Sequence, residues 1–72
     1  METYLEKLLS QIRCKKARPY IAEEIRDHIE CQIEDNLSDG MSYEEAEKNA
    51  VTDMGDPVEV GISLDRIHKP KI

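Results

Sequence analysis

Apolar residues recur along the chain at helical spacing and divide it into four segments. The first apolar stripe consists of Tyr4, Leu5, Leu8, Leu9 and Ile12. The second stripe consists of Ile21, Ile25, Ile29, Ile33 and Leu37, and is widened by Ala22 and His28. Stripes with this spacing predict two amphipathic helices, over about residues 2–14 and 19–38, whose apolar faces meet in a core. Pro19 suits the first position of the second helix because it lacks an N–H.

Two shorter helices are predicted over about residues 42–54 and 57–67, each opened by a capping sequence. Ser42 and Glu45 have the spacing of a capping box, and Asp56 and Glu59 repeat that spacing with Pro57 at the first helical position. The inward residues of these two helices are Ala46, Ala50, Val51 and Met54, then Val60, Leu64 and Ile67. The pattern therefore predicts an all-α fold, a small bundle of two longer and two short helices.

Glycines mark the places where this bundle needs special backbone geometry. Gly40 and Gly55 follow the second and third helices, where glycine adopts a left-handed conformation without strain. Gly40, Gly55, Asp56 and Pro57 are therefore predicted to be structural junctions. Gly61 lies inside the fourth helix and costs about 1 kcal/mol there relative to alanine, which predicts that a neighbouring backbone packs closely against it.

Size and composition narrow the functional classes. The chain has 72 residues, 39% of them hydrophobic, with three tyrosines and no other aromatic residue. Such a composition favours aliphatic helix packing over a β-sandwich. A domain this small buries only about 60% of its unfolded surface, which disfavours a deep catalytic cleft. No nucleophile, base and orienting group recur as a set, so we expect neither enzymatic activity nor a cofactor.

The charge is distributed unevenly along the chain. The net charge of −6 argues against nucleic acid as a partner, because phosphate binding needs clustered Lys and Arg. Residues 19–65 carry fourteen acidic and two basic side chains, whereas residues 13–18 carry four basic and no acidic ones. A basic tail follows at Arg66, His68, Lys69 and Lys71. Two interpretations of this tail stay open: contact with anionic lipid headgroups, or a helix C-terminus favoured by the helix dipole.

Cysteine and histidine are the remaining candidates for site chemistry. His28 and Cys31 are spaced to share a helix face as metal ligands can, but the sequence contains no C-x-x-C or H-x-x-x-H pair. We therefore expect Cys14 and Cys31 to be small buried thiols, and we expect no metal. No signal-peptide pattern precedes them, which indicates a reducing compartment. Apolar runs of two or three residues are too short to span a bilayer.

The run K-K-A-R-P-Y-I-A-E-E-I-R-D-H-I-E over residues 15–30 resembles the K-A-x-x-x-I-x-x-E-L-x-x-H-I segment of a small helical domain of Gram-positive bacteria. The later motifs G-M-S at 40–42, M-G-D-P at 54–57 and L-D-R-I-H-K-P-K at 64–71 follow the same pattern in order. This resemblance covers residues 4–71. The family is the permease-prefix or HAAS-like group, and the chain is most similar to the prefix of FtsW/RodA/SpoVE-type proteins of cell division, elongation and sporulation.

The resemblance implies that residues 1–72 form a single N-terminal cytoplasmic domain of a longer membrane protein, with residues 66–72 as a basic juxtamembrane tail. Peptidoglycan synthesis by that family belongs to the membrane part, and no residue here matches a catalytic position. The expected function is an interaction or regulatory module on the cytoplasmic face of the cell membrane. Its expected partners are the downstream transmembrane region, the anionic membrane surface and a cytoplasmic protein, and a homodimer stays open. The alternative is a free-standing adaptor or transcription-associated regulator that binds a partner helix.

Overall fold

The computed structural model describes residues 1–67, which form a bundle of four α-helices. These are α1 (Glu2–Leu9), α2 (Arg18–Ser38), α3 (Tyr43–Met54) and α4 (Pro57–Ile67). The all-α fold is confirmed, and no strand occurs in this range. The bounds of α2, α3 and α4 agree with prediction to within one residue. No helix among residues 1–67 combines the length and apolar character needed to cross a bilayer.

The long helix α2 is the element on which α1 and α3 are arranged. α3 folds back antiparallel along its C-terminal half. α1 runs antiparallel along its N-terminal half, where Arg26 lies 3.5 Å from the Glu2 carboxylate. At the other end of the same pair, the Arg18 Nε donates a 2.8 Å hydrogen bond to the Ile12 carbonyl. Different helices therefore cover the two halves of α2.

α4 packs parallel to α1 rather than returning to α2. The contact is closest at Gly61, where a Cβ atom would lie 2.5 Å from the Leu8 carbonyl oxygen and 2.8 Å from the Gln11 Cβ. Real Cβ atoms do not approach other atoms this closely, so the absence of a side chain sets the spacing of the two helices. The close approach predicted from the sequence at Gly61 is therefore present.

The core is formed by apolar residues of α1, α2 and α3 and by the segment that follows α1. Its buried members are Tyr4, Leu5, Leu8, Ile12, Ile21, Ile25, Ile29, Ile33, Ala46 and Ala50. Half-buried residues that pack against it include Leu9, Val51, Met54, Val60 and Leu64. The predicted inward stripes of α1 and α3 and the four isoleucines of α2 are thus in the core.

Three residues predicted to face inward are exposed instead. Leu37 is 40% exposed, Ile67 is 73% exposed, and His28 is also exposed. A stripe with one residue every four positions turns by about 40° at each step, because an α-helix advances about 100° per residue. The stripe has therefore left the core by Leu37, and the buried position belongs to Asn36, seven residues after Ile29. Ile67 lies beyond the stretch of α4 that contacts α1.

The first helix ends at Leu9, not at residue 14 as predicted. The Ile12 N–H bonds to the Leu9 carbonyl at 3.0 Å in a tighter i to i+3 turn. In a continued α-helix the Arg13 N–H would donate to the Leu9 carbonyl, but here it donates to the Asp65 carboxylate at 2.8 Å. A bond to the last helix thus replaces an intrahelical one, and Ile12 stays buried outside the helix.

Candidate functional site

The junction between α2 and α3 is a tight turn built around Gly40. Gly40 has a φ of 95°, and its N–H donates to the Leu37 carbonyl at 3.0 Å while the next N–H donates to the Asn36 carbonyl at 3.2 Å. These two bonds form a Schellman motif. Ser42 then caps α3 by accepting the Glu45 N–H at 3.3 Å. The predicted reverse bond to the Glu45 carboxylate is absent from the hydrogen bonds of residues 1–67.

The junction between α3 and α4 uses Gly55, Asp56 and Pro57. Gly55 has φ 95° and ψ −173°, a region that essentially only glycine occupies. Asp56 Oδ1 accepts hydrogen bonds from the Val58 N–H at 2.8 Å and the Glu59 N–H at 3.3 Å. Pro57 is the first residue of α4. These residues stop one helix and start the next, which is a structural role.

The two junctions lie at opposite ends of α3, about 18 Å apart for a helix of this length. They do not form one site.

Asp56 does lie close enough to Tyr4 to affect its titration: burial, and then the Asp56 charge, raise the pKa of the Tyr4 phenol. The Tyr4 hydroxyl is buried and has no hydrogen-bond partner in the described chain. Tyr4 is thus held neutral in the core and serves packing.

Asp65 and Arg13 form a link that the sequence did not predict. Asp65 is 9% exposed, and its two carboxylate oxygens accept from the Arg13 N–H and the Arg13 Nε, each at 2.8 Å. The Arg13 N–H, with further help from the guanidinium, lowers the pKa of Asp65 even though burial acts to raise it. One sequence signal could have indicated that Asp65 faces α1. Asp65 lies four residues after Gly61, on the same face of α4.

The Arg13–Asp65 link brings Arg66 to the same end of the molecule as the basic connector, residues 13–18. Arg66 follows Asp65 directly and is exposed, as are Lys15 and Lys16 in the connector before α2. We call this surface the basic end, defined by Arg13, Lys15, Lys16, Arg18 and Arg66. The other predicted tail residues, His68, Lys69 and Lys71, lie outside the described residues.

The predicted thiols lie in more open surroundings than expected. Cys14 is half-buried and Cys31 is exposed, and both are free; the prediction that they are buried was wrong. Cys31 and His28 line a cleft of about 290 Å³ between α2 and α3, together with Asp35 and Asp53. No three His, Cys, Asp or Glu side chains in the part of the chain described here are placed to hold a metal ion.

Three of the titratable side chains described above are engaged within the fold. The Asp65 carboxylate is occupied by Arg13, the Tyr4 hydroxyl is enclosed in the core, and Asp56 is occupied by the N-terminus of α4. The fold also presents charged and apolar surfaces that a partner could contact. No protein-family model, no curated protein and no solved structure matches the chain.

Proposed function

We propose that this chain is a non-catalytic interaction and regulatory module that lies on the cytoplasmic face of the cell membrane. In this proposal it precedes the membrane-spanning region of an FtsW/RodA/SpoVE-type protein of cell division or cell shape, which acts in peptidoglycan synthesis. The motif resemblance over residues 4–71 supports the family. The observation that carries the membrane-facing role is the basic end, because it brings Arg66, near the end of α4, together with the basic connector at residues 13–18.

Electrostatics predicts how the domain is oriented relative to the membrane surface. Anionic headgroups attract Lys and Arg near the membrane surface by about 1 kcal/mol per residue, and basic residues close to a span are retained on the cytoplasmic side. The rest of the chain is acidic, with fourteen acidic and two basic side chains over residues 19–65, so it is repelled by the same surface. α2 leads away from the basic end for about 31 Å. The basic end would therefore face the lipid and the acidic remainder the cytoplasm.

A free-standing adaptor that binds a partner helix is the second candidate. It is favoured by Leu37 and Tyr43, which are large, exposed and line one shallow groove. The gene separates the two candidates. A reading frame that continues past Ile72 into apolar runs of about 20 residues supports the membrane module. A stop codon directly after Ile72 supports the adaptor.

Reporter fusions ahead of Met1, in the protein as its gene encodes it, test the membrane module. A fluorescent protein that matures only in the cytoplasm and an alkaline phosphatase that is active only outside it form a matched pair. We expect fluorescence at the cell periphery and no phosphatase activity, because the basic residues hold this end inside. Phosphatase activity without fluorescence would contradict the proposal, and fluorescence spread evenly through the cytoplasm would favour the adaptor.

A further inference from the structure

An open groove lies on the half of the molecule farthest from the basic end. Its lining residues are Glu30, Ile33, Glu34 and Leu37 of α2 and Tyr43 at the start of α3. Ile33 is buried and forms the floor, whereas Leu37 is 40% exposed and Tyr43 is 60% exposed. We call this surface the acidic groove. Its centre lies roughly 20 Å or more along α2 from Arg18, at about 1.5 Å per residue.

The charges of the acidic groove are not used within the molecule. Glu30 and Glu34 are exposed, and their carboxylates form neither a hydrogen bond nor an ion pair with any other residue in the range 1–67. None of the lining residues is basic. A partner can therefore neutralise two carboxylates here without breaking an existing bond.

We propose that the acidic groove binds a cationic amphipathic helix of a protein partner, with an aliphatic residue on Leu37 and Tyr43 and Lys or Arg residues on Glu30 and Glu34. The two glutamates are four residues apart on α2, so their carboxylates lie about one helical turn apart. Basic residues at i and i+4 of a partner helix have the same spacing. This proposal specifies the surface and partner chemistry for the interaction role and does not depend on the membrane role.

Complementary charge favours a cationic helix over the other possible occupants of the acidic groove, which are a second copy of the chain and an anionic membrane. A basic end of a second copy would present lysines, but its Arg13 is already paired with Asp65 and its Arg18 with a backbone carbonyl. Its Lys15 and Lys16 are consecutive residues in the connector before α2, so they do not have the i and i+4 spacing that matches Glu30 and Glu34. An anionic membrane would be repelled by Glu30 and Glu34. A basic helix with a central leucine satisfies both the apolar floor and the carboxylates.

The test uses the 72-residue chain and a synthetic helical peptide of roughly 14 residues, four turns, with leucines on one face and lysines beside them. Fluorescence anisotropy measures its Kd. We expect Glu30→Gln with Glu34→Gln to weaken binding by about fivefold or more at low salt, and Leu37→Ala to weaken it similarly. Added salt should weaken binding to the unchanged chain.

Matched controls separate this site from general charge attraction. Glu6→Gln with Glu59→Gln removes the same charge from exposed positions on α1 and α4 and should leave the Kd within about twofold. Circular dichroism of every variant confirms folding. Equal weakening by this control pair, or equal binding of a peptide with Glu in place of Lys, would overturn the proposal. So would a Leu37-dependent dimer of the chain alone in sedimentation velocity, because a second copy would then cover the groove.

The outcomes for the acidic groove and for the membrane module are independent. Failure of the peptide to bind leaves the reporter fusions ahead of Met1 to decide the membrane role. An extracellular reporter leaves peptide binding at Leu37 and Glu34 unaffected, because the groove residues lie on α2 and α3 rather than at the basic end.

Discussion

At the scale of single residues, Asp65 determines where two helices meet. Its carboxylate accepts both the Arg13 N–H and the Arg13 Nε, 52 positions earlier in the chain. A buried carboxylate is costly unless it is hydrogen-bonded and paired, and here both conditions are met. The same contact joins α4 to the segment that follows α1, and Arg66 comes directly after Asp65.

Asp65→Asn should destabilise the chain at neutral pH and lose this effect in acid. The folded-state pKa of Asp65 is lowered below the ordinary value of 3.8. The carboxylate therefore stabilises the fold fully above about pH 4, and this contribution is lost as pH falls through the lowered pKa. Urea denaturation at pH 7 and near pH 2 measures the difference between the variant and the unchanged chain.

Asp53→Asn is the matched control, because Asp53 is an exposed aspartate on α3 without a hydrogen bond among residues 1–67. Its free energy of unfolding at pH 7 should lie within about 0.5 kcal/mol of the unchanged chain. If Asp65→Asn were as neutral as Asp53→Asn at pH 7, or equally destabilising at both pH values, the Arg13–Asp65 link would not hold the helices together.

Leu37, which the sequence placed wrongly, has a simple physical explanation. Leu37 continues a four-residue spacing and was predicted to be inward, although about 40° of rotation accumulates at every step. Asn36 takes the buried position, and its side-chain amide bonds to the Ala46 carbonyl at 3.0 Å. The angular position of Asn36 on α2 would have predicted that it is buried. Its hydrogen-bond partner could not be predicted in this way, because that partner depends on how α3 is placed.

At the scale of elements, the packing of α1 against α4 includes a very close approach at Gly61. The backbone of α4 at Gly61 approaches the Leu8 carbonyl so closely that a Cβ would lie 2.5 Å from the oxygen. Close approach allows the flanking half-buried residues Val60 and Leu64 to reach the core. The cost of glycine inside a helix, about 1 kcal/mol, is offset by this packing.

Gly61→Ala should destabilise the chain by about 1–3 kcal/mol, although alanine is the better helix former. The added methyl group meets the Leu8 backbone and the Gln11 side chain, so α4 must shift away from α1. Ser63→Ala, at an exposed position of the same helix, supplies the control and should be neutral or slightly stabilising. Urea denaturation that shows Gly61→Ala to be as stable as Ser63→Ala would contradict the close contact.

The elements themselves were largely predictable because their signals are local. The stop at Gly40, the caps Ser42 and Asp56, and the apolar spacing act within a few residues of where they stand. The end of α1 was not predictable in the same way. α1 ends where the Gln11 and Ile12 N–H groups bond three residues back rather than four. The Arg13 N–H then donates to Asp65, and a pairing across 52 positions leaves no trace in local periodicity.

At the scale of the whole molecule, the fold separates basic from acidic side chains in space. Arg66 and the basic connector at residues 13–18 are far apart in sequence but lie together at the basic end, and the acidic groove lies along α2 from them. The sequence showed an acidic middle between two basic segments but could not show whether those segments meet. That depended on the parallel packing of α4 on α1.

We propose that the basic end faces an anionic membrane, and binding of the 72-residue chain to phosphatidylglycerol vesicles measures this contact. Co-sedimentation should show salt-sensitive binding that phosphatidylcholine vesicles do not support. The double substitution Lys15→Gln with Lys16→Gln should weaken binding to these vesicles by about tenfold or more. The double substitution Lys69→Gln with Lys71→Gln should weaken vesicle binding to the same extent. The control pair Lys7→Gln with Lys48→Gln removes the same charge elsewhere and should change binding by about threefold or less. Equal weakening by all three pairs, or binding that is independent of salt, would contradict a membrane-facing basic end.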